Sequence, residues 1–219
     1  MKKFLEILKK CPLFYNVDEQ KLPIMLNCLG AKVDVYDKKY TIMSEGSGAK
    51  YIGIVLSGSA QITQVDFYGN RTIVGNVMPS ELFGEEFACA ESESMPVSII
   101  ANEPSEIMLI NCTHILHTCH NNCEFHQQLI FNLMRELAIK TISFHQKIEI
   151  TCKRTTREKL MEYLNSMQKK TGKSSFEIPF DRQELADYLE VDRSGLSAQI
   201  SKLKAEGVID SHKKHFTIL

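Results

Sequence analysis

No apolar run in this chain approaches the roughly 18–20 residues that a membrane span needs. The cleanest, Ile52-Gly-Ile-Val-Leu56, has only the length of a strand. A secretory leader is not indicated either: Lys2-Lys3 is followed by Glu6 and Lys9, which interrupt any apolar leader core. The seven cysteines (Cys11, Cys28, Cys89, Cys112, Cys119, Cys123 and Cys152) contain no C-x-x-C. Neither a zinc ribbon nor a thioredoxin-type redox pair is therefore indicated, and reduced thiols in a cytoplasmic protein are expected. No histidine precedes His114. A barrel metalloenzyme of the cupin type needs two or three on its strands, so that class is set aside. No nucleophile elbow, P-loop or H-E-x-x-H occurs. The protein is expected not to be an enzyme.

What is present has a clear polarity along the chain. Net charge is −1 over 219 residues. Residues 1–150 carry 13 Lys/Arg against 17 Asp/Glu, whereas residues 151–219 carry 13 against 10. A small basic unit behind an acidic one points to a phosphate-backbone partner at the C-terminal end.

Turn residues divide the chain into zones. Residues 1–104 hold eight of the 11 Gly and five of the six Pro; from Ser105 to Thr171 there is neither. Short strands followed by long helices are implied. Alternating or apolar stretches occur at Lys32–Tyr36, Tyr51–Leu56, Ala60–Val65, Thr72–Val77, Val97–Ala101 and Ile107–Ile110. Such evenly interrupted strands read as an antiparallel jelly roll. Two short helices are expected before it, one ahead of Pro12 and one around Asp18–Cys28. A long helix is expected from Glu124 to Thr151, with a stripe of Ile130, Leu133, Leu137, Phe144 and Ile148 widened by Leu129, Met134, Ala138 and Ile142. A stripe this broad can face its own domain and a second copy of itself. Leu133, Leu137 and Phe144 are the expected dimer contacts.

The most informative stretch comes last. After a helix beginning near Thr156 and a strand at Ser175–Ile178, Asp181-Arg-Gln-Glu184 forms a capping-box pattern. Leu185, Ala186 and Leu189 give one short helix its buried face. A three-residue turn, Glu190-Val191-Asp192, leads to a second helix from Arg193 to about Glu206, stopped by Gly207. With Leu196, Ile200 and Leu203 inward, Ser194, Ser197, Ala198 and Ser201 face outward, flanked by Lys202 and Lys204. Small polar residues with cations at their edges suit a major groove and its phosphate walls. Val208–Ile218 reads as a two-stranded wing with Lys213-Lys214 at its tip. Arg182, Arg193, Ser194, Ser197, Ala198, Ser201, Lys202, Lys213 and Lys214 are the expected DNA contacts.

With these residues in this order, the chain resembles the Crp/Fnr family of transcription regulators. The matching stretches are Glu45-Gly46, Val55-Leu-Ser-Gly58, Asp66–Gly69, Leu82-Phe-Gly-Glu85, Arg157-Glu-Lys-Leu160 and Arg182-Gln-Glu-Leu-Ala to Arg193. The resemblance implies an α+β chain with three parts: an effector-sensing jelly roll at 1–123, a dimerisation helix at 124–151 and a winged helix-turn-helix at 152–219. It also implies a homodimer on a palindromic promoter, with RNA polymerase as a further partner of an activator. By the same resemblance the effector pocket comprises Leu82, Phe83, Gly84, Glu85, Met95, Pro96, Phe144 and His145.

Two departures matter. Cyclic-AMP-binding members of the family follow the Gly-Glu pair with Arg-Ser or Arg-Thr, which neutralises the phosphate; here those positions read Met95-Pro96. A phosphate buried without its Arg loses a bidentate, charge-assisted contact. A small-molecule effector other than cyclic AMP, uncharged or weakly charged, is expected, with Glu85 left to a structural role. The oxygen-sensing branch holds an iron–sulfur cluster on closely spaced N-terminal cysteines, and only Cys11 and Cys28 precede this barrel. One cluster has no family counterpart: Cys112, His114, His117, Cys119, His120, Cys123 and His126 fall within fifteen residues. A zinc or haem site there is the alternative function; polar filler between barrel and helix is the plainer reading. Glu190, at a turn position usually held by Gly, is expected to be left-handed.

Overall fold

The computed structural model describes residues 2–116 and 124–219; the sequence cluster members His117, Cys119, His120 and Cys123 lie outside the described residues. The chain divides into two compact units, 1–65 with 74–141, and 66–73 with 142–219.

The first unit opens with a short helix, α1 (Leu5–Leu8), and a second, α2 (Leu22–Cys28), with a 3-10 turn at Pro12–Phe14 between them. Eight strands follow: β1 (Lys32–Tyr36), β2 (Thr41–Met43), β3 (Tyr51–Ser57), β4 (Ala60–Val65), β5 (Arg71–Val77), β6 (Leu82–Phe83), β7 (Ser98–Ala101) and β8 (Ser105–Asn111). They form two four-stranded sheets, β1-β8-β3-β6 and β2-β7-β4-β5. All six expected strands are present. The short β2 and β6 are additions that the sequence pattern did not show.

The apolar run of β3 explains how the layers are built. Ile52, Ile54 and Leu56 join a cluster with α1, α2 and Met108 and Ile110 of β8. Val55 points the other way, into a cluster with Phe83, Met95, Val97, Ile99 and Ile107. A strand covered on both faces needs no polar alternation, so it reads as continuous. Gly53 is required in its middle: a Cβ there would fall 2.0 Å from Phe83 Cζ. Between β6 and β7 lies α3 (Glu85–Cys89), and after β8 comes α4 (Thr113–Leu116).

Helix α5 (Glu124–Thr151) has the expected bounds, and its residues are shared between the two units. Leu129 and Leu133 are buried in the helix-side cluster of the first unit. Asn132 pins that face: its Nδ2 donates to Leu13 O and Tyr15 O, both at 2.8 Å, while Oδ1 accepts from Gln128 at 2.9 Å.

The second unit contains α6 (Thr156–Thr171), β9 (Ser175–Glu177), α7 (Arg182–Leu189), α8 (Arg193–Ala205), β10 (Ile209–His212) and β11 (His215–Ile218). The wing is a three-stranded sheet, β10-β11-β9, one strand more than the sequence suggested. Leu160, Leu164, Phe176, Leu185, Leu189, Leu196, Ile200, Leu203 and Phe216 form its core. Each such side chain contributes roughly 1.5–3 kcal/mol by leaving water. Capping boxes start α6 (Thr155, Glu158) and α7 (Asp181, Glu184).

Glu190 ends α7 at φ 54°, ψ 55°, the left-handed conformation anticipated for it. An L side chain there costs about 1 kcal/mol. Two ammonium groups offset part of that by binding the helix's last carbonyls: Lys159 donates to Leu189 O (3.2 Å) and Glu190 O (3.3 Å), and Lys147 to Tyr188 O. Burial pushes the Lys147 pKa down to about 8. Glu190→Asn, a residue that tolerates this conformation, should raise stability by roughly 0.5–1 kcal/mol in denaturant unfolding. An unchanged or lower midpoint would mean that the Glu190 carboxylate is worth more than the strain.

Candidate DNA interface and effector site

The helix-turn-helix is α7, the turn 190–192 and α8. Asp192 caps α8, accepting from Gly195 N at 2.8 Å and from the Ser194 hydroxyl. That cap satisfies a free amide in the first turn of α8. Of the expected contacts, Arg193, Ser194, Ala198, Ser201 and Lys202 are exposed along α8 and Ser197 is half-buried. Ser194 is committed to Asp192, and Ser201 donates to Ser197 O at 3.1 Å.

The cations divide into two groups. Arg193, Lys202 and Lys213 are exposed and make no ion pair among the described residues. Lys213 sits at the wing tip with φ 53°. The others are tied inward. Lys214 donates to Pro179 O at 2.9 Å and lies 4.0 Å from Glu184. Lys204 holds Asp210 (3.0 Å) and Ser211 O (2.8 Å). Arg182 lies half-buried over the Phe216 ring at 5.7 Å, with its Nη1 buried and lacking a hydrogen-bond partner. Burial, then the nearby Arg193 charge, lowers its pKa. Arg182 and Lys214 are thus built into the domain, which the sequence could not reveal.

The residues expected around the effector are distributed over two core clusters, the surface and both units. Phe83 and Met95 fill the apolar space between the two sheets, Met95 being 1% exposed. Met95 is held there by backbone bonds to the 46–47 turn, its N–H donating to Ser47 O (2.9 Å) and its carbonyl accepting from Gly46 (2.9 Å). Leu82 points to the opposite, helix-side cluster, and Pro96 is exposed. Phe144 and His145 are exposed on α5, in the second unit.

Gly84 is left-handed (φ 77°), and the turn it makes delivers Glu85 into the interior with 0% exposure. No Lys or Arg occurs between Arg71 and Arg135, so the neutralising cation comes from elsewhere. It is Lys140 of α5, whose Nζ lies 2.5 Å from Glu85 Oε1 and donates to Leu82 O at 3.0 Å. Glu85 Oε2 is buried with no hydrogen-bond partner among the described residues. Burial raises the Glu85 pKa; Lys140 opposes that rise and the neighbouring Glu86 adds to it. Sequence reasoning missed Lys140 entirely.

The cluster at 112–126 does other work where it is described. His114 Nδ1 lies 3.0 Å from Leu29 O, and the buried His126 Nε2 lies 3.3 Å from His114 O. Among the described residues no three His, Cys, Asp or Glu side chains gather as metal ligands. Cys11 lies 1% exposed among apolar residues, its thiol pushed up to about 12 by burial, while Cys28 is exposed. These two do not fit the ligand set of an iron–sulfur cluster, whose sulfurs must be thiolates.

A jelly roll followed by a long helix and a winged helix-turn-helix defines a sensor-linked DNA-binding regulator. Residues 33–122 match the cyclic nucleotide-binding domain, and residues 158–219 match the Crp-like helix-turn-helix domain. The transcriptional activator protein FnrL of Cereibacter sphaeroides is 25% identical over 194 residues, covering 84% of this chain and 75% of FnrL. Two solved structures share the fold. FixK2 of Bradyrhizobium japonicum has a TM-score of 0.67 at 19% identity, over 86% of this chain and 92% of that one. The c-di-GMP responsive regulator CLP of Xanthomonas campestris has 0.74 at 16%, over 92% and 99%. The chain belongs to the Crp/Fnr family of DNA-binding transcription regulators. The metal- or haem-binding alternative is not favoured.

Proposed function

We propose that the protein binds a palindromic promoter site as a homodimer, through α8 and the wing, under control of an effector that is not cyclic AMP. The DNA reading rests on the three uncommitted cations, Arg193, Lys202 and Lys213, set around the capped start and the flank of α8 and on the wing tip. Arg193, in the first turn, is the base reader, since a guanidinium pairs bidentately with guanine; Lys202 and Lys213 meet phosphate. Lys214 and Arg182 act indirectly, by holding the wing and α7.

In fluorescence anisotropy, Arg193→Ala should weaken binding to a selected operator by about 1–3 kcal/mol and change random DNA little. Lys213→Ala should weaken both alike and lower the salt slope by about one per half-site. Equal loss on both DNAs for Arg193→Ala would make it a phosphate contact.

The effector reading rests on Met95 and Glu85. An apolar side chain stands where cyclic-AMP-binding relatives place the phosphate-neutralising Arg, and an internal cation already occupies one Glu85 oxygen. A neutral or weakly charged ligand suits this apolar lining, while Glu85, 0% exposed and paired with Lys140, keeps a structural role. Calorimetry with cyclic AMP should show no micromolar binding; a tight exothermic titration would overturn this. Residues 1–123 then form the sensing part, 124–151 the dimer helix and 152–219 the DNA-binding part. The relatives are activators by name; that role would bring in RNA polymerase.

A further inference from the structure

Cys89 and Cys112 meet inside the first unit with their sulfurs 3.6 Å apart. Cys89 is the last residue of α3; Cys112 follows β8 directly, 23 positions later. From this geometry we infer that Cys89 and Cys112 are a redox-active dithiol that hydroperoxide converts into an intrachain disulfide.

Three features separate this pair from the other described cysteines. The first is proximity: the sulfurs must close from 3.6 Å to the roughly 2.05 Å of a disulfide, a distance within reach of side-chain rotation. Second, Cys112, although only 2% exposed, lines a cleft of about 560 Å³ together with Lys50, Ala88, Glu91 and Ser92, and Cys89 beside it is partly exposed. A small oxidant therefore has an entry path. Third, the two thiols differ in acidity. The hydrogen bond from the Cys89 thiol lowers the Cys112 pKa, against burial and the Glu91 and Glu85 charges, and the same bond raises that of Cys89. By contrast Cys11 is enclosed, and Cys28 and Cys152 are exposed with no second thiol beside them among the described residues.

The backbone at Cys112 is fixed on both sides. Its N–H donates to Lys50 O (3.0 Å), and its carbonyl accepts from Ile115 (2.9 Å) and Leu116 (3.0 Å). Cys89, at the end of a five-residue helix, is the partner that moves.

The chemistry balances in two steps. The Cys112 thiolate attacks one peroxide oxygen; the S–O bond forms, the O–O bond breaks, and the departing hydroxide takes a proton and leaves as water. Cys89 then gives up its proton and attacks the sulfenic sulfur, so that S–S forms and S–O breaks. The hydroxide released takes up that proton as a second water. Two thiols lose two electrons in all, and peroxide gains them. The link would tie α3, the helix that begins with Glu85, to the end of β8.

Peptide mapping of the full chain tests this without any variant. Trypsin is unsuitable, because no Lys or Arg separates Arg71 from Arg135. Chymotryptic cleavage after Phe87, Leu109 and Leu116 puts Cys89 (88–109) and Cys112 (110–116) on separate peptides, both apart from Cys119 and Cys123. Reduced protein treated with hydrogen peroxide and digested without reductant should yield one cross-linked pair holding Cys89 and Cys112, lighter by two hydrogens than its parts. The cross-link should persist in Cys28→Ser and vanish in Cys89→Ser, where dimedone should trap Cys112 as its sulfenic adduct. A link from Cys112 to Cys119 or Cys123, or full alkylation of both thiols after peroxide, would overturn the proposal. So would dimedone labelling at Cys89 in Cys112→Ser together with an unlabelled Cys112 in Cys89→Ser.

Discussion

Lys140→Met should lower the stability of the first unit by roughly 3–5 kcal/mol, the usual consequence of stripping a buried charge of its ion-pair partner. Glu85 is fully enclosed, and Lys140 is the cation that compensates it. The loss should depend on pH in a definite direction. Burial already raises the Glu85 pKa in the folded protein, so the folded state favours the protonated acid. The stability associated with that preference is present below the ordinary carboxylate pKa and is lost as pH rises through the folded value. Removing Lys140 raises the folded value further. The deficit should therefore be large at neutral pH and shrink as the solution is acidified towards the carboxylate range. Glu85→Gln combined with Lys140→Met should recover most of it, since a neutral amide and a thioether leave no unpaired charge. Denaturant unfolding at several pH values checks all three points. A Lys140→Met deficit that is small, or that grows on acidification, would show that Glu85 is not carried as a paired carboxylate.

What the sequence revealed and what it hid follow from the range of the interactions involved. The six longer strands were legible because four to seven residues show alternation or a bounded apolar run. β2 and β6, at three and two residues, are too short to show a period, and β2 carries a register shift between Thr41 and Met43. The helix-turn-helix was legible because its signals are local: the Asp181–Glu184 capping box and the left-handed Glu190 each involve neighbours in sequence, although the Asp192 cap of the second helix was not read. Lys140 with Glu85 spans 55 positions and Cys89 with Cys112 spans 23, and no spacing rule announces either pair. Lys214 illustrates the same limit, with its carbonyl partner 35 positions away. A wing-tip lysine looks free until Pro179 O and Glu184 are seen to hold it.

The broad stripe on α5 was legible as apolar but not as two faces. Leu133 is 2% exposed in the core of the first unit, and Leu137 packs half-buried against it, so neither offers its side chain to a second copy. Phe131, Met134, Ala138 and Ile142 lie on the other side of the helix, at spacings of three, four and four, and all are exposed. Phe131 and Ile142 are 58% and 59% exposed, a high value for such side chains on a 28-residue helix. On the dimer proposed above, this face is the seam, with Ile148 at its edge.

Met134→Glu and Ile142→Glu should each give monomers in light scattering while far-ultraviolet circular dichroism stays unchanged, because the charges are solvated in the monomer and unpaired only in the seam. Leu133→Glu should instead destabilise the first unit, by burying an unpaired carboxylate. The effect on DNA should be the largest of any substitution described. Two half-sites held together turn the second contact into an intramolecular one, an advantage of about 10²–10⁴. Each seam variant should thus lose two or more decades of operator affinity while its affinity for an isolated half-site holds. Intact dimers in both seam variants would remove α5 from the interface. Monomers that kept full operator affinity would remove the need for a dimer.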